Sequence, residues 1–155
     1  MKRIILLSFI QLFAGLSISC KAENDVIQQP NNENNQAMKS NKINIKVGSK
    51  TFTATLLDNA TSKAFVAQLP LTINMIELNN NEKYAQLPKS VPTNASVPTR
   101  IEAGDLMMYG SSTLVLFYKG FSTSYSYTKI GKIDDISGLT TALGEGDVKV
   151  SFEVD

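Results

Sequence analysis

Ile43-Asn44-Ile45-Lys46-Val47-Gly48-Ser49-Lys50-Thr51-Phe52-Thr53-Ala54-Thr55-Leu56 is the stretch from which the fold is best read. Ile43, Ile45 and Val47 alternate with Asn44 and Lys46, and beyond Gly48-Ser49 the alternation resumes with Phe52, Ala54 and Leu56. Successive strand residues point to opposite faces, so period two on both sides of a two-residue link predicts a hairpin with one buried face. Gly48 supplies the positive φ that a primed turn demands.

The same alternation closes the chain, where Val148, Val150, Phe152 and Val154 interleave with Lys149, Ser151 and Glu153. Between these ends, Asp58 or Asn59 can cap a helix of about ten residues in which Ala60, Ala64, Phe65 and Leu69 recur at helical spacing, with Pro70 as its stop. Leu71 to Leu78 reads as a strand with apolar residues on both faces, so both are expected to be buried. Asn79-Asn80-Asn81 marks a turn, and the stretch from Leu87 to Val97, with Pro88, Pro92 and the following Pro98, reads as a long irregular loop. Asp105–Tyr109 and Thr113–Tyr118 form a second hairpin across Gly110-Ser111-Ser112. Ser122 to Ile130 alternates polar with aromatic residues, Gly131 is expected to permit a bend, and Leu139–Leu143 to make a short helix ended by Gly144. Seven or eight short strands with one or two capping helices predict a mainly β domain, a closed barrel or a sandwich.

The N-terminus is of another kind. Lys2 and Arg3 precede an apolar run from Ile4 to Leu16, which falls short of the roughly 20 residues that a membrane span needs and reads as an export signal. Leu16-Ser17-Ile18-Ser19-Cys20 resembles a bacterial lipobox, although Ser17 stands where the usual Leu is expected and Leu16 lies one residue further back. The alternative is a plain secretory signal. Residues 1–19 are therefore expected to be a lipoprotein signal peptide and Cys20, the sole cysteine, the site of lipidation. Residues 20–41, rich in Asn and Gln, hold too little apolar surface to offset ordering entropy and are expected to form a disordered tether. The folded domain is assigned to residues 42–155. The expected location is the bacterial cell envelope, lipid-anchored on the periplasmic face or the cell surface, with the membrane as partner.

Composition narrows the chemistry. With 15 basic and 14 acidic residues the charge is near balance, so no stripe for a phosphate backbone exists and nucleic acid is not an expected partner. The chain has no His, which removes Ser-His-Asp and Cys-His nucleophilic arrangements and the softer zinc ligands. Asp134-Asp135 and Gly144-Glu145-Gly146-Asp147 read as turns, and neither a metal nor a cofactor is expected.

Leu69-Pro70-Leu71, Asn81-Glu82-Lys83-Tyr84, Gly104-Asp105-Leu106, Phe117-Tyr118 and the block from Tyr127 to Ile133 resemble the bacterial cyclophilin-like domain family, often found as small envelope lipoproteins. The resemblance implies a closed cyclophilin-like β-barrel with helices at its ends. Cyclophilins are peptidyl-prolyl isomerases that use an Arg flanked by Phe, Gln, Trp and His; this chain has neither Trp nor His, and beyond the signal its one Arg is Arg100. The catalytic set does not carry over, and fold does not transfer activity. The expectation is a non-catalytic binding module, with a weak prolyl isomerase using Arg100 as the alternative. Arg100, Tyr109, Phe117, Tyr118, Phe121 and Tyr125, with Tyr127, are the candidate lining of a groove for a peptide or small ligand.

Overall fold

A computed structural model describes residues 41–155. The expectations for the signal, Cys20 and most of the tether lie outside the described residues. Eight strands form a closed antiparallel barrel: β1 (Lys42–Val47), β2 (Lys50–Leu56), β3 (Leu71–Leu78), β4 (Glu82–Gln86), β5 (Asp105–Tyr109), β6 (Thr113–Phe117), β7 (Thr128–Ile133) and β8 (Val148–Val154). Their order round the ring is β1-β2-β7-β5-β6-β4-β3-β8, and β8 pairs with β1 to complete it. Two short helices, α1 (Ala60–Val66) and α2 (Leu139–Leu143), accompany the barrel. No helix among the described residues is long and apolar enough to cross a membrane.

The first hairpin forms as its alternation demands. Val47 pairs with Lys50, Gly48 takes φ +58°, and Ile43, Ile45, Val47, Phe52, Ala54 and Leu56 all enter the barrel interior. The Asn59 side chain accepts a hydrogen bond from the Ser62 amide at 2.8 Å and so caps α1. The helix ends at Val66, sooner than the apolar spacing suggests, because Gln68 and Leu69 donate to Phe65 and Val66 in tighter i→i−3 bonds. Phe65 seats on Phe152 edge to face, with centroids 5.8 Å apart.

Two expectations need correction, and one stretch that the sequence leaves unassigned finds its place. β3 is buried on one face only: Met75 is enclosed, whereas Ile76 and Leu78 on the other face are about two-fifths exposed. Gly131 makes no bend but lies within β7 opposite Leu56, where a Cβ would stand 2.7 Å from both the Thr55 carbonyl oxygen and Leu56 Cδ2. Its lack of a side chain allows β2 and β7 to approach. Finally, Glu82–Gln86 is a strand, β4, seated between β3 and β6.

The apolar residues divide into two clusters. One fills the barrel. The second lies outside it, where Met107, Val115 and Phe117 on the outer face of β5 and β6 are covered by Ile101 and Tyr127, with Tyr84 and Phe121 at its margin. This outer cluster positions the candidate site.

Candidate functional site

Two long connections run back over the outer face of β4, β6 and β5. They hold each other through short antiparallel bridges: Ser96 and Tyr127 exchange backbone hydrogen bonds of 3.0 and 2.9 Å, and Ile101 and Phe121 exchange bonds of 3.0 and 3.1 Å. These bonds satisfy backbone groups that a covered loop would otherwise leave unpaired. They also set Phe121 and Tyr127 against the Phe117 ring, with centroids 5.7 and 5.5 Å away.

Between the second of these connections, which contains Phe121 and Tyr125, and the strands lies a cleft of about 630 Å³, within the size range of small-ligand sites. Alternation decides what reaches it. Glu82, Tyr84 and Gln86 project outward from β4 while Lys83 and Ala85 turn inward, and Tyr109 comes from the outer face of β5. Phe121, Tyr125 and Tyr127 close the other side. Tyr109 meets Tyr125 edge to face at 6.2 Å and Tyr127 at 5.7 Å, so the rings form a connected wall. Tyr125 is 63% exposed and stands at the rim. Burial and the nearby Glu82 carboxylate push the Tyr127 hydroxyl up to about 12, so it remains a neutral donor at any ordinary pH.

Of the seven groove candidates, Tyr109, Phe121, Tyr125 and Tyr127 line the cleft. Phe117 lies beneath the lining, fully buried in the outer cluster. Tyr118 does not belong there: residues adjacent along a strand point to opposite faces, so with Phe117 outward Tyr118 turns to the barrel side. Its hydroxyl donates to the Glu77 carboxylate, 2.9 and 2.8 Å from the two oxygens. Arg100 does not line the cleft; its guanidinium pairs with Glu102 at 2.9 Å, both side chains half exposed.

Sequence reasoning missed Glu82, because β4 was not recognised as a strand. Glu82 is only 8% exposed, lines the cleft, and its carboxylate has no hydrogen-bond or ion-pair partner among the described residues. Burial, reinforced by the negative Glu77, pushes its acid group up to about 7. The same outer sheet contains Asp105, fully buried, which accepts from the Glu102 amide at 2.9 Å and pairs with Lys129 at 2.9 Å. No group of acidic or cysteine side chains suited to a metal ion occurs among the described residues.

A family model described as the cyclophilin-like family matches residues 45–153, nearly the whole barrel. The chain belongs to the cyclophilin-like family. No curated protein gave a significant match. Family membership accounts for the closed barrel with its helices.

Proposed function

We propose that this protein is an envelope lipoprotein whose cyclophilin-like domain is a binding module without isomerase activity. Cys20 is its lipid anchor, and the outer cleft receives an apolar group from a peptide or small ligand. The observation that carries the binding assignment is the cleft itself: a preformed concavity walled by Tyr84, Tyr109, Phe121, Tyr125 and Tyr127. Aromatic side chains supply large contact area at little conformational cost, which suits them to ligand capture rather than bond rearrangement. Support for the non-catalytic part comes from Arg100, which points its guanidinium at Glu102 and so offers no free cation to polarise a prolyl amide in the cleft.

A prolyl-peptide isomerisation assay on the full chain tests this reading. The expected rate is that of the uncatalysed peptide; acceleration that disappears in Arg100→Ala would restore the enzymatic alternative. The anchor has a separate test, in which Cys20→Ala is expected to release the protein from membranes. Retention of that variant in the membrane fraction at unchanged mass removes the lipid from the proposal.

A further inference from the structure

Glu82 occupies an unusual position for a carboxylate. Its partners in register are Leu78 on β3 and Phe117 on β6, neither of which can donate a hydrogen bond from its side chain. The adjacent cation, Lys83, turns into the barrel and is committed there to Glu77 and to the carbonyl oxygens of Gly144 and Gly146, at 2.9 and 2.7 Å. Glu77, the other charge near Glu82, is also an acid, and Tyr118 and Tyr127 are the titratable hydroxyls that sense these acids. The Glu82 oxygens are not sealed in the protein but reach the cleft, where a largely desolvated carboxylate with no protein donor is costly to ionise. Native proteins retain such groups where a ligand completes them.

The walls around Glu82 state which ligand. Tyr84, Tyr109, Tyr125 and Tyr127 present π-systems, whose faces attract cations and repel anions. We propose that the cleft binds a small organic amine, its primary ammonium donating to the Glu82 carboxylate and its apolar stem lying among the tyrosine and phenylalanine rings. An ammonium brings three donors to an acceptor-only group and cancels its charge; a neutral hydroxyl would satisfy one lone pair and leave the charge. An anionic ligand would be repelled by Glu82 at the cleft wall. The inference rests on the reading of the outer cleft as a binding site and adds the chemistry of what enters it.

The experiment compares phenethylamine with its neutral analogue phenethyl alcohol, titrated by calorimetry into the full chain in a non-ionic detergent at about pH 8, where Glu82 is mostly ionised. The amine is expected to bind at least tenfold tighter than the alcohol. Glu82→Gln is expected to erase that preference, and Tyr125→Ala, a rim residue whose loss leaves the core intact, to weaken both ligands. A measurement on the unaltered protein stands beside the variants: saturating amine should lower the titration midpoint of the Glu82 carboxyl carbon well below 7, and the alcohol should not. Equal affinity for the two probes, or an unmoved Glu82 midpoint, overturns the amine and leaves the cleft standing as an apolar site. Binding of both probes that ignores Tyr125→Ala overturns the cleft as well, and so does the absence of binding by either.

Discussion

Glu77 and Glu82 stand on paired strands one step out of register, Glu77 opposite Lys83 and Glu82 opposite Leu78, so their side chains leave the sheet on opposite faces. Glu77 enters the barrel mouth, where burial works against its charge, but Lys83, Tyr118 and the Asn80 amide donate to it and hold its pKa below the usual carboxylate range. Glu82 meets comparable apolar surroundings with no donor, and its acid group rises to about 7. The two sites show that burial alone does not set what an acid does in this barrel. The donors around it do: the supplied carboxylate locks an end of the fold, and the unsupplied one is left to an incoming molecule.

The hardest blow to this contrast is Lys83→Met, which keeps side-chain bulk while stripping Glu77 and two glycine carbonyls of their donor. A loss of about 3 to 5 kcal/mol in denaturant unfolding is expected, with partial recovery when Glu77→Gln is added. A loss below about 1 kcal/mol would mean that the interior pair is no lock.

Glu82→Gln should act in the opposite direction. The folded acid is weaker than the unfolded one, so ionised Glu82 opposes folding; that penalty is absent below the unfolded value of 4.5 and complete above about 7. The variant is therefore expected to be more stable than the natural protein by about 2 kcal/mol at pH 8, and equal to it near pH 4. Destabilisation at both pH values would place Glu82 among the structural acids. Glu77 has the reverse sign, since its lowered pKa stabilises the fold above its unfolded value and that contribution fades as pH falls below it.

Smaller effects sharpen the comparison. Tyr118→Phe removes the hydroxyl from Glu77 alone and is expected to cost about 1.5 kcal/mol, with the Glu77 titration midpoint moving up while that of Glu82 holds. Arg100→Ala breaks a half-exposed pair and is expected to change stability by less than about 0.5 kcal/mol, leaving phenethylamine affinity as it was.

Much of the barrel was legible because its apolar side chains alternate without interruption. The first hairpin and β8 carry apolar residues at every inward position, and Gly48 and Gly144 stand where the backbone takes positive φ. β4 escaped notice for the opposite reason. In Glu82-Lys83-Tyr84-Ala85-Gln86 the inward residues are a lysine and an alanine, so hydropathy alternation fails although the backbone alternation is perfect. A reader alert to Glu82, Tyr84 and Gln86 at period two would have placed them on one face. Gly131 misled because a glycine required by a neighbour's closeness looks, in one dimension, like one required by a turn. The aromatic wall was half legible: composition drew attention to Tyr109, Phe121 and Tyr125, but only the alternation at the end of β6 separates Phe117 from Tyr118. Arg100 attracted notice by rarity, which says nothing of what it touches.

In the ring of strands, β1 and β8 are neighbours, and β5 and β6 lie across the barrel from them. The chain thus enters at Lys42 and ends at Asp155 side by side, with the Asp155 amide donating to the Lys42 carbonyl oxygen. The concavity opens on the far wall. Closing the ring through β1 and β8 therefore keeps both ends of the described chain on the wall opposite the tyrosine-lined mouth.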